Sequence, residues 1–196
     1  MVNSNDKRVR RTTENIFRAI CELITERSYP EITVTDIARH AHIDRKTFYL
    51  HYPSKERLFV ELAERYATRA VEGMREARKH EDINDAADAL IHELFDASED
   101  VLAVHRRVID DPTYTFMIRH VIASLRAAIQ PFLMQQGVAE GQARTLACFY
   151  TGGIVDIYAE WVDGRIAGET ESVARNICRL ISDGVITRLA NGEQPA

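Results

Sequence analysis

Apolar residues return along this chain at intervals of three and four, the spacing of helices that bury one face. Ile16, Ile20, Leu23 and Ile24 mark such a face and predict a helix from about Thr12 to Arg27, closed by Tyr29-Pro30. Val34, Ile37, Ala38 and Ala41 mark a second, shorter one. Thr33 stands just before it and Asp36 three residues on, an arrangement in which a hydroxyl and a carboxylate cap a helix N-terminus. His42 and Ile43 turn the chain, Asp44 caps a third helix from Arg45 to Leu50 with Phe48 inward, and Pro53 ends it. Ser54 then caps a long helix from Lys55 to about His80.

The remainder keeps the same period. A polar break at His80, Glu81, Asp82 and Asn84 precedes two helices, Ala86 to Ala97 and Val101 to Ile109. Asp111-Pro112 acts as cap and first helical residue of a segment reaching about Gln136, within which Pro131 predicts a kink or local end. Gly137 and Gly141 frame a turn. A helix from Gln142 to Val162 ends at Gly164, and the last runs from about Thr170 to Leu189. No run alternates as a strand does. The fold class is therefore all-α, about nine helices, with a three-helix N-terminal domain over residues 1–53 and a helical body over 54–196.

Two short helices joined by a tight turn and braced by a third make a helix-turn-helix, and this one occupies Thr33 to Leu58. With Phe48 inward, Arg45, Lys46, Thr47 and Tyr49 point outward, where they suit phosphate and base-edge contact. Arg45 is the first choice for a base contact, because Arg reaching guanine O6 and N7 is the commonest direct reading interaction. Thr33, Thr35, Asp44, His51 and Lys55 lie around the ends of the pair, where hydroxyls, helix N-termini and an ammonium hold phosphates.

The combined run Thr33, Ile37-Ala38, Ala41, Thr47-Phe48-Tyr49, His51-Tyr52-Pro53-Ser54-Lys55-Glu56 and Leu58 resembles the tetracycline-repressor (TetR) family of bacterial transcription regulators. Two positions depart from its pattern: His42 stands where the family usually has Gly, and Lys46 where it often has a small residue. The resemblance implies DNA contacts by Tyr49 and Lys55, an organic effector bound in the helical body, and a homodimer built from the last two helices. The apolar stripes there run through Tyr150, Gly153, Ile157 and Trp161, and through Ile177, Leu180 and Gly184. For the effector, Phe95, Tyr114, Met117, His120, Phe149 and Tyr158 offer the mixture of aromatic and polar groups that organic-ligand pockets use.

Charge fits this organisation. The chain of 196 residues has a net charge of -5, but residues 1–57 hold 11 Lys+Arg against 8 Asp+Glu and residues 58–196 hold 14 against 22. A mildly basic end joined to an acidic body touches phosphate with one end only. Lys7, Arg8, Arg10 and Arg11 are either a solvated tail or a flexible phosphate or minor-groove arm ahead of the first helix. Cys21, Cys148 and Cys178 are odd in number and lack CxxC spacing, so neither a disulfide framework nor a thiolate zinc site is expected. His92, His105 and His120 show no HxxxH or HxxE pairing, and no metal or other cofactor is expected. With no membrane-length apolar run and no secretion signal, a cytoplasmic location is expected.

The partners expected are a double-stranded DNA operator, a small-molecule effector and a second copy of the chain. A ligand-independent activator or architectural factor, its body engaging a protein partner, is the alternative. A helical enzyme is a remote one, for the chain contains no GxSxG, Walker loop, GxGxxG or HExxH.

Overall fold

The computed structural model describes residues 7–77, 89, 91, 92 and 98–181. Its described elements are helical: α1 (Lys7–Glu26), a 3-10 turn (Tyr29–Glu31), α2 (Val34–His40), α3 (Arg45–His51), α4 (Lys55–Ala77), α5 (Glu99–Asp110), a second 3-10 turn (Pro112–Tyr114), α6 (Thr115–Gln135), α7 (Glu140–Val162) and α8 (Thr170–Ile181). The all-α class expected from spacing is what is found. The helix expected over Ala86 to Ala97 lies almost wholly outside the described residues, as does the end of the last helix beyond residue 181.

Two boundaries differ from expectation. α1 begins at least five residues before Thr12, so Lys7, Arg8, Arg10 and Arg11 are its first turns and not an arm. Val9 and Thr13 continue the half-buried side of the Ile16 and Ile20 stripe, Thr12 Oγ1 donates to the Arg8 carbonyl at 3.0 Å, and Arg10 pairs with Glu14 at 3.6 Å. The helical face carries on through residues too polar to announce it. α6 does not end at Pro131. Pro131 and Ala127, whose carbonyl the proline leaves without a helical donor, both face solvent, while Phe132 and Leu133 just beyond are buried and hold the helix in register.

The chain forms two compact units: Met1–Ala63 with Glu99–His120, and Glu64–Ser98 with Val121–Ala196. The expected boundary at residue 53 falls inside the first.

The core of the first unit comes from the stripe of α1, where Ile16, Ile20, Leu23 and Ile24 are fully buried, joined by Ile37, Phe48, Leu58 and Phe59. α5 packs along α1. Where the two helices end, a polar clasp ties them together. Ser28 Oγ donates to Asp111 Oδ2 at 2.6 Å, Arg107 Nη2 lies 3.2 Å from the same oxygen, and the Thr113 amide and hydroxyl donate to Asp111 Oδ1 at 3.0 and 2.8 Å. Tyr114 is fully buried and its hydroxyl donates to the Arg27 carbonyl at 2.6 Å, satisfying a group that the end of α1 leaves open.

In the second unit Ala67 and Val71 of α4, Leu125, Ile129, Phe132 and Leu133 of α6, and Ala143 and Ala147 of α7 form one core cluster. Thr151, also buried, donates to the Ala147 carbonyl at 2.7 Å and accepts from Arg126 Nε at 3.1 Å. A second cluster joins Ile91, Ile154 of α7, and Val173, Ala174, Ile177 and Cys178 of α8.

The Ser28 hydroxyl, the Thr113 donors and the Arg107 guanidinium hold the Asp111 carboxyl below the ordinary carboxylate range. A carboxylate depressed in the native state contributes stability that is complete above its unfolded pKa of about 3.9 and is lost as pH falls through the native value. Asp111→Asn should therefore lower the urea midpoint near pH 7, and the gap from the parent should narrow as pH falls below about 3.9. A gap of equal size at both ends would show that the charge contributes nothing.

Candidate nucleic-acid interface

The interface is assembled from caps and one inward anchor. Thr33 Oγ1 accepts from the Asp36 amide at 3.2 Å, and Asp36 Oδ2 accepts from the Thr33 amide at 3.1 Å, completing a capping box on α2. Arg27 and Arg39 stand 3.5 and 3.1 Å from Asp36 Oδ1, and with Thr33 they hold that carboxyl below its ordinary range. α2 closes with His42 donating to the Arg39 carbonyl at 3.2 Å and Ile43 to Ala38 at 3.0 Å. This is the Schellman pattern, which needs a left-handed residue at the turn. His42 is that residue, at φ 54°. α6 and α7 end with the same pair of bonds, but they place Gly137 (φ 88°) and Gly164 (φ 74°) there. A Cβ in this region costs energy, least for short polar side chains and His, and here the cost is accepted.

Asp44 then caps α3, accepting from the Thr47 amide at 2.6 Å, a bond that lowers its pKa. Phe48 is fully buried. Tyr52 follows one turn later, its ring edge-on to Phe17 of α1 at 6.1 Å and its hydroxyl 3.3 Å from Glu61 of α4. With those two rings inside, Arg45, Lys46, Tyr49 and Leu50 are left facing solvent.

The expected DNA-facing residues fall into three groups. Arg45, Lys46 and Tyr49 are exposed together on α3, and Thr35 is exposed on α2. Thr33, Asp44 and Thr47 are engaged in capping, and His51 Nδ1 lies 3.3 Å from Thr13 Oγ1 of α1. Lys55 is turned inward. Its Nζ donates to the carbonyls of Tyr29 and Ile32 at 2.8 and 2.7 Å and sits 4.0 Å above the Tyr29 ring, and burial lowers its pKa. It joins the start of α4 to the segment that leads into α2.

The residues expected to meet an effector are divided between the units. Tyr114, Met117 and His120 belong to the first, where Tyr114 and Met117 are core residues. Phe149 and Tyr158 belong to the second, Phe149 being 73% exposed and Tyr158 packed against the α7–α8 cluster, where burial raises its hydroxyl pKa. Phe95 lies outside the described residues. Of the expected dimer residues, Tyr150, Ile157, Trp161 and Ile177 pack into that same cluster, Gly153 and Leu180 are exposed, and Gly184 lies outside the described residues.

Two features were not anticipated from the sequence. Tyr29 gathers Lys55, Glu56, Phe59 and Phe116 around one ring, and its partners are up to 87 positions away. Leu50 is 65% exposed. Its place four residues after Lys46 was the available signal.

Residues 16–62, from the buried stripe of α1 into α4, match the family described as bacterial regulatory proteins, tetR family. Over 179 residues, 90% of its length, the chain is 26% identical to the uncharacterized HTH-type transcriptional regulator YxbF of Bacillus subtilis (strain 168), and it spans 46% of that protein, about half the length of the curated relative it matches. The fold is similar to that of the fatty acid degradation regulator FadR from Bacillus halodurans, with TM-score 0.69 and 18% identity over 89% of this chain and 96% of that one. It is also similar to FadR from Bacillus subtilis, solved in complex with stearoyl-CoA, with TM-score 0.65 and 18% identity over 88% and 98%. The TetR family repressor AlkX from a Dietzia species, implicated in biodegradation of n-alkanes, gives TM-score 0.61 and 17% identity over 92% and 98%. The match to the tetR family is carried by this N-terminal segment, which holds α2, α3 and the start of α4. Among the described residues, no helix is long and apolar enough to cross a membrane.

The placement of Lys55 separates stability from recognition. Lys55→Met keeps the aliphatic stem but leaves two carbonyls unpaired, so it should cost about 1–3 kcal/mol in urea denaturation. Arg45→Ala, fully on the surface, should stay within about 0.5 kcal/mol of the parent. Equal stability of the two variants would remove the bracing role.

Proposed function

We propose that the chain is a sequence-specific DNA-binding transcriptional regulator that acts in the cytoplasm as a homodimer, a repressor released from its operator by a small organic molecule. The observation that carries this reading is α3. It is anchored by Phe48, capped by Asp44 and left with Arg45, Lys46 and Tyr49 exposed on one side, and it lies within the segment that matches a family of regulatory proteins. Arg45 is the base reader, Lys46, Tyr49 and Thr35 hold phosphates, and Lys55, its ammonium engaged by the Tyr29 and Ile32 carbonyls, sets the start of α4.

The regulator should select a short, roughly palindromic duplex, with affinity falling steeply as salt rises because counterions are released. Arg45→Ala should cost about 1–3 kcal/mol of operator binding and relax base preference at one position per half-site. A random-sequence selection that enriches no motif sinks the reading. The effector is proposed to be an amphiphile with a long acyl chain, a reading supported by the stearoyl-CoA bound to a protein of similar fold. The same titration run with stearoyl-CoA beside free coenzyme A tests it, release by the first alone being the expected result.

A dimer is needed because a single recognition helix makes few base contacts, whereas two set about 34–36 Å apart reach successive major grooves. The exposed Leu180, with Gly153 offering open space, is the proposed contact, and Tyr150, Ile157, Trp161 and Ile177 support it from within the chain's own cluster. Leu180→Glu should give monomers by sedimentation and weaken operator binding together. A parent protein that sediments as a monomer at micromolar concentration would refute the dimer.

A further inference from the structure

The geometry points to Leu50 as a second base-reading residue, one that recognises the C5-methyl group of a thymine in the major groove. The inference deepens the DNA-binding reading above and rests on it. Among the described residues of the first unit, only Tyr49 and Leu50 are large hydrophobic side chains left open to solvent, at 48% and 65%, and they are neighbours on α3. Tyr49 has a packing partner, its ring meeting Phe48 edge-on at 5.5 Å. Leu50 is the more open of the two.

Its position gives that exposure a direction. In a helix, residues four apart share a face, so Leu50 stands one turn beyond Lys46 and beside the line from Arg45 to Tyr49. The cations on this face suit phosphate oxygens and guanine acceptors, and none of them recognises an apolar group. Thymine is the one base that presents such a group in the major groove. A leucine placed there gains by covering the methyl and loses where cytosine presents an amino donor that it cannot pair. Arg45 and Leu50, at opposite ends of the two-turn helix, then divide the reading between a guanine and a thymine.

The test begins from the operator obtained by selection. Each thymine is replaced in turn by deoxyuridine, which removes the methyl and nothing else. Burial of one methylene-sized group is worth about 0.8 kcal/mol, so the parent protein should lose about fourfold in affinity per half-site at one thymine position and be insensitive at the others. Leu50→Ala should bind the thymine and deoxyuridine operators alike, while keeping its circular dichroism spectrum and its discrimination at the Arg45 position. Indifference of the parent to deoxyuridine at every position overturns the inference, and so does a methyl effect of the same size in Leu50→Ala. Either result leaves selective operator binding intact. Failure of the selection to enrich any sequence is separate, and would take the DNA-binding reading down with it.

Discussion

Seven residues are too few to hold a helix in water, because nucleation fixes several dihedrals for each hydrogen bond gained. α3 therefore exists only while Phe48 is buried and Asp44 caps its first turn. That one insertion decides everything displayed outside. Once positions 48 and 52 are spent on the core, the helical period sends 45, 46, 49 and 50 to solvent. The outer surface is the complement of the core, so a residue exposed on α3 is chosen twice, once for its own chemistry and once by the phase of the helix.

The short segment between α1 and α2 carries more connections than its length suggests. The carbonyls of Arg27, Tyr29 and Ile32 are paired from outside the segment, and an unpaired buried carbonyl is costly. Lys55 supplies two of them from α4, Tyr114 supplies the Arg27 carbonyl from beyond α5, and Ser28 reaches Asp111. The Tyr29 ring fills the space among Lys55, Phe59 and Phe116. Three other pieces of chain thus agree on the position of the seven residues from Arg27 to Thr33, and α2 starts immediately after them.

What could be read from the sequence was local. Thr33 with Asp36 and Asp44 with Thr47 act across three residues, so caps on α2 and α3 were legible from residue type alone, whereas the left-handed turn at His42 was signalled only by the glycine usual there in the family it resembles. The stripe Ile16, Ile20, Leu23 and Ile24 was legible for the same reason. The beginning of α1 was hidden because its first turns are held by Thr12 and Glu14, not by apolar residues, and Pro131 misled because a proline facing solvent need not stop a helix. Lys55 resembled a phosphate ligand, and only its partners 23 and 26 positions back disclose the bracing. The stripe of α7 shows which residues share a side, but not whether the chain's own α8 covers them, as it does Ile177.

The clasp between Ser28 and Asp111 has a consequence for modularity. In the linear chain the helix-turn-helix looks like a bead that a single cut could free, yet α5 and the turn after it, dozens of positions downstream, complete its core. The chain leaves this body at one place and returns to finish it at another. Any recombination that exchanges recognition surfaces between such proteins must therefore carry two stretches of sequence together, or leave the buried side of α1 facing a stranger.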